Sequence, residues 1–239
     1  MPRARRGSGG GATLTLVRTG GPTGRDIFRG TREQYLVRVL FLLRHCGTAP
    51  GPAAPAGALS EMRSQLRLQA LDFWLRNPDY LADELLNDDE RAQDPDLVEA
   101  ARAILEDREP EIRRLPMTKY LFGAYERLDD VLAPLVTYGL VQHSAAAGQA
   151  RVREHDYWFM EAGEEFAREL LAAAPEVFGW YEERAELIAR VAGDDGGGAL
   201  KERQYRQEEY AGTPNTRLIE PITGRVRERL VRLDEERAA

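Results

Sequence analysis

Three histidines, one cysteine and a few short acidic runs are the side chains of this 239-residue chain whose chemistry could hold a metal or move a proton. Spacing limits what they can do. Cys46 has no thiol partner at zinc-finger spacing, and His45, His143 and His155 form no H-E-x-x-H pair, so neither a structural zinc site nor a metalloprotease centre is indicated. The chain has no phosphate-binding glycine loop, no dinucleotide glycine fingerprint and no G-x-S-x-G elbow. Asp88-Asp89-Glu90 and Asp194-Asp195 adjoin flexible segments, where carboxylates are ordinarily solvated. The expectation is a non-enzymatic protein without cofactor or metal. His143 and His155 hold the one latent chemistry, because a hairpin would bring them face to face. Plain cross-strand packing is the simpler reading there, and a metal-binding or pH-sensing pair the sharper one.

Charge discriminates next, because a double helix is gripped chiefly through its phosphates. Residues 1–46 hold nine arginines against Asp26 and Glu33, a net +7; with the whole chain at −7, the remainder carries −14. Most of the body would repel DNA unless its cations gather in space. No apolar run approaches a membrane span; the best, Val37–Leu43, is interrupted by Arg38. The basic start Met1–Arg6 runs into Gly7–Gly11 where a secretory signal needs an apolar stretch, and a single cysteine suits a reducing compartment. These features predict a soluble cytoplasmic protein with no membrane partner.

The elements that must position these groups are mostly helices. Residues 1–30 read as a flexible basic arm with one alternating patch, Ala12–Arg18. Thr31 and Gln34 have capping-box spacing and open a strongly apolar helix through Cys46, and 47–58 follows as a Pro- and Gly-rich loop. Ser60 is expected to cap a second long helix that Asn77-Pro78 ends, before a short helix at Asp79–Leu86; Trp74 and Tyr80, at helical spacing, read as core. Asp94-Pro95 opens a helix through Glu106. Met117–Tyr125 brings aromatics back, and Phe122–Tyr125, leading through Glu126 and Arg127 into the next helix, reads as part of a helix-turn-helix corner. Pro175 starts an apolar helix, Glu176–Ala192, that must dock on the domain or make a dimer interface. Gly193–Gly198 reads as a hinge, and the remainder as an extended arm finishing in a charged helix. The expected divisions are a 1–30 arm, a 31–192 helical domain, and a 193–239 hinge and charged C-terminal arm.

Between Leu128 and Leu171 the hydrophobic period changes twice. Leu128, Val131, Leu132, Leu135 and Tyr138 share a helical face that Gly139 stops. β-Formers follow at Leu140–His143 and at Val152, Tyr157, Trp158 and Phe159, on either side of small Ser144–Ala150. Phe166, Ala167, Leu170 and Leu171 then restore the helical stripe. This succession of L-x-x-L-x-x-x-G-L-V, a hairpin and Y-x-F-x-x-x-G-x-x-F-A resembles the second half of winged-helix regulators of the MarR and PadR kind. Those families carry Leu-Thr where Phe159-Met160 stand here. Met160 cannot cap the next helix, so a cap worth about 1 kcal/mol is missing or supplied otherwise. The expected fold class is mainly α with a small β-hairpin: a winged helix-turn-helix core with additional N- and C-terminal helices.

The resemblance implies a DNA-binding transcription regulator, its contacts supplied by Arg113, Arg114, Lys119, Arg127, Arg151 and Arg153 with the arginine-rich arm. Charge opposes that implication. The helix before the hairpin exposes Asp129, Asp130 and Pro134, and residues 108–172 hold eight basic side chains against eleven acidic ones. The alternative is a winged-helix adaptor or accessory subunit that docks a protein and does not itself read DNA. The partners to be weighed are duplex DNA, a different protein, and a second copy bound through Glu176–Val191. Cations gathered on one face would favour DNA, and dispersal among carboxylates the adaptor.

Overall fold

The structure, a computed structural model, describes residues 31–87, 94–120, 123–147 and 153–238. The basic arm at 1–30 lies outside them. Helix α1 (Arg32–Cys46) begins at the Thr31/Gln34 capping box, with both reciprocal hydrogen bonds made. Its Val39–Leu43 run is buried on every side, as befits a helix apolar all round, and α1 becomes the axis of the fold. Strand β1 (Ala58–Arg63), helices α2 (Gln65–Arg76), α3 (Pro78–Leu86), α4 (Pro95–Glu106) and α5 (Glu109–Ile112), and strands β2 (Thr118–Tyr120) and β3 (Gly123–Tyr125) follow. Then come α6 (Asp129–Thr137), β4 (Val141–Ala147), β5 (Arg153–Met160), α7 (Glu161–Ala173), α8 (Pro175–Ala192), α9 (Gly197–Tyr205), α10 (Glu208–Gly212) and α11 (Thr223–Ala238). The chain is mainly α with a small β component, as its patterning predicts.

The run from Leu128 to Leu171 forms the expected helix, hairpin and helix. β4 and β5 pair antiparallel with Val141 opposite Phe159 and His143 opposite Tyr157. Gly139 ends the helical stretch at φ +70, a left-handed conformation that glycine takes without strain. Met160 makes no side-chain cap, and the backbone supplies the replacement: the Glu161 N–H donates to the Gly57 carbonyl at 2.9 Å and the Met160 N–H to the Leu140 carbonyl at 3.1 Å. Gly163 lets α7 lie directly on this junction, since a methyl there would sit 2.5 Å from the Leu140 carbonyl oxygen and 2.7 Å from the Phe159 ring.

Three expectations are corrected. The stretch after Ala58 is a strand before it is a helix: β1 pairs with β5, giving the sheet order β1-β5-β4, and Ser64 rather than Ser60 caps α2. Met62, Val141, Tyr157 and Phe159 are the sheet's most deeply buried residues, and α1 and α2 pack against it. Met117–Tyr125 is no helical corner but the β2–β3 hairpin, extended by a bridge from Thr118 to Leu218. Residues 193–239 are not an extended arm; Leu200, Tyr210, Ile219, Ile222, Val226 and Leu230 enter the core.

Charge draws that C-terminal segment in. Every residue of α3 is buried, three carboxylates included. Asp79 accepts from the Ile222 N–H at 2.7 Å and the Thr223 hydroxyl at 3.1 Å, Asp83 receives Arg225 and Arg229, and Glu84 receives Arg203 at 2.6 Å. Burial pushes the Asp79 carboxyl above its ordinary value, against the pull of these donors. Gly197, in the expected hinge, instead allows α9 to abut α2, where a methyl would lie 2.6 Å from the Arg67 amide nitrogen. Glu176–Ala192 docks on the domain: Ala185, Ile188, Val191 and Ala192 are buried, with α1 as the main neighbour.

The Gly163 contact yields a sign test. Alanine ordinarily stabilises a helix interior by about 1 kcal/mol over glycine. Here Gly163→Ala is expected to destabilise by about 1–3 kcal/mol, because the colliding group is a backbone carbonyl that cannot swing away. Urea denaturation with an unchanged slope and a lower midpoint is the expected result.

Candidate interaction face around the sixth helix

Helix α6 is held by groups from α1 and α2. Leu128, Val131, Leu132 and Leu135 are its buried stripe. Pro134 lies inside it and has no N–H to give the Asp130 carbonyl four residues back; Arg32, from the first turn of α1, donates to that carbonyl at 3.2 Å. The approach to α6 is clamped by the Gln69 side-chain amide, which accepts from the Glu126 N–H at 3.1 Å and donates to the Glu126 carbonyl. The Glu126 carboxylate meets the Arg76 guanidinium, which also reaches the Leu115 and Pro116 carbonyls at 3.0 Å each. Behind this, buried Asp72 contacts Arg38 at 3.0 Å and Arg76 at 3.6 Å. The outward side of α6 presents Asp129, Asp130, Ala133, Val136, Thr137 and Tyr138, with Tyr138 70% and Val136 42% exposed.

Among the described residues, the proposed phosphate-binding cations Arg113, Arg114 and Lys119 do not gather beside it. Lys119 is only 6% exposed; its ammonium donates to the Tyr210 and Ala211 carbonyls at 3.0 and 2.7 Å and lies 4.9 Å from the Tyr205 ring centre. Burial lowers its pKa, and the side chain ties β2 to α10. Arg114 donates inward to the Ile219 carbonyl. Arg113 lies over the Trp180 ring at 4.4 Å, on α8. Arg127 is exposed immediately before α6. Arg151 lies outside the described residues, and Arg153 opens β5 with its side chain likewise outside them.

The groups of metal-ligating type fare similarly. His45, Glu182 and Glu186 come together between α1 and α8. Arg44, however, occupies Glu182 at 2.6 Å and Glu164 at 2.7 Å, so a cation there would compete with a guanidinium already in contact. His45 joins the same knot, 2.8 Å from Glu182. Cys46 is buried and its thiol is pushed up to about 12, the condition of an inert packing residue. Sequence reasoning missed these ionic knots, whose partners are far apart along the chain and individually resemble wet-face charge. Among the described residues no helix is long and apolar enough to cross a membrane.

No protein-family model, curated protein or solved structure matches this chain.

The Arg44 knot has a pH signature. The Arg44 hydrogen bonds hold Glu164 below the ordinary glutamate value of 4.5. A carboxylate depressed on folding stabilises above its unfolded value, and that contribution is lost as pH falls through the folded value. Glu164→Gln is expected to cost about 1.5–3 kcal/mol at neutral pH. Its stability difference from the parent should shrink below pH 4.5, as followed by thermal melts over the acid range.

Proposed function

We propose that this chain is a winged-helix protein whose helix α6 serves as a protein-docking face, making it an adaptor or accessory subunit rather than a reader of DNA sequence. The winged-helix reading is supported by the order α1, β1, α2, then α6, β4, β5 and α7, with β1 added to the hairpin strand β5. Residues 77–128 are a long insertion between α2 and α6 on this reading.

One observation carries the docking reading. Where a duplex-reading helix carries hydrogen-bond donors and is flanked by cations, α6 offers two carboxylates, small residues and an exposed valine and tyrosine. Tyrosine is among the residues enriched at protein interfaces and at their energetic centres. The regulator reading keeps one foothold, the exposed Arg127 at the base of α6.

A photo-crosslinking amino acid at position 138 decides between them. Irradiation in extract of the source cells is expected to give an adduct that protease removes and nuclease does not, reduced when Val136 is also changed to Glu. A nuclease-sensitive adduct would overturn the docking reading and support the regulator.

A further inference from the structure

His143 on β4 and His155 on β5 are not a strand pair, since His143 stands opposite Tyr157 and His155 opposite Ala145. Their rings nevertheless meet across the diagonal. His143 Nε2 lies 2.9 Å from His155 Nδ1, the ring planes are 6° apart and the centroids 5.2 Å apart. That centroid distance is the nitrogen contact plus the two ring radii, so the imidazoles meet edge to edge in nearly one plane instead of face to face. Such a contact needs a proton on one nitrogen and a lone pair on the other. No metal fits on the line between these two nitrogens, because zinc requires about 2.0–2.1 Å to each.

We propose that His143 and His155 form a one-proton imidazole latch across the hairpin, closed while the pair carries no net charge or a single positive charge and opened by a second. The first added proton leaves an N–H donor facing a lone pair and makes the bond charge-assisted. The second converts both facing nitrogens into donors, and the rings must part.

The described surroundings give the parting a direction. Asp129 on α6 and Asp156 on β5 are the carboxylates whose charge favours a proton on His143; burial and the His155 charge oppose it, and together hold His143 below its ordinary value. The buried Tyr157 ring lies 5.0 Å from that of His143 at 14°, backing it on its own sheet. Once His155 no longer accepts or donates, the charged His143 is drawn to Asp129. The hairpin thereby exchanges a cross-strand bond for an attraction to the first turn of α6. Acid is thus sensed next to the exposed face of α6, whatever partner that face takes.

Nitrogen-15 and proton spectra of the histidine rings, followed across about pH 4 to 8, test the latch without needing a partner. At neutral pH the parent protein should show His143 Nε2 and His155 Nδ1 in opposite protonation states. Its two titration steps should be separated by about 1 pH unit or more and belong to the pair. His143→Gln and His155→Gln should each leave one step lying between the two, and Asp129→Asn should lower the lower one. Equal protonation of the two facing nitrogens in the parent, which requires no variant to fold, would overturn the proposal. Parent steps identical to those of the two single variants would overturn it too, provided those variants keep the parent's β4–β5 amide pattern.

Discussion

Guanidinium groups taken out of water must find carboxylates or carbonyls, and that requirement organises this protein. Arg38 and Arg76 are buried and share Asp72, and Arg76 continues to Glu126 at the foot of α6. This chain of charges ties α1 and α2 to the approach of α6. Buried Arg203 spans Glu84, Asp195 and the Val191 carbonyl, fastening α9 to α3 and to the end of α8. Arg225 and Arg229 bring the last helix onto Asp83. A buried pair need not exceed a well-packed apolar pair in stability, but losing one partner typically costs about 3–5 kcal/mol, so each knot fixes which elements meet.

The same arrangement shapes the surface. Lys119 and Arg114 serve the interior, and Arg44, Arg102, Arg184, Arg190 and Arg227 are engaged with carboxylates. Phosphate neutralisation depends on cations that can leave their partners for the duplex, and each internal ion pair raises the cost of doing so. On the winged-helix reading proposed above, the described residues offer little of the free charge that nucleic-acid recognition requires. Protein docking through α6 is consistent with both.

Local rules in the sequence carried well into the structure. The Thr31/Gln34 box, Asn77-Pro78, Asp94-Pro95 and Gly139 each set an element boundary because cap and breaker chemistry acts within a few residues. The hairpin was legible from its β-formers and small central residues. β1 was not, because Ala58–Arg63 pairs along its length with β5, far along the chain. The C-terminal segment was illegible for a related reason: Arg203, Arg225 and Arg229 look like ordinary surface charge until α3 is seen to bury their acceptors. In the candidate site, the charge of Lys119 suggests an exposed cation, whereas strand alternation with Thr118 and Tyr120 turns it inward.

Titration of duplex affinity against salt tests the central claim most directly, because the slope counts the phosphates that the protein's cations neutralise. With Lys119, Arg114 and the paired arginines engaged internally, the full chain should show no α6-dependent binding to random-sequence duplex at low salt: any residual affinity should be unchanged by Arg127→Ala and confined to the 1–30 arm. Binding that persists without that arm, falls steeply with salt and weakens in Arg127→Ala would contradict the account.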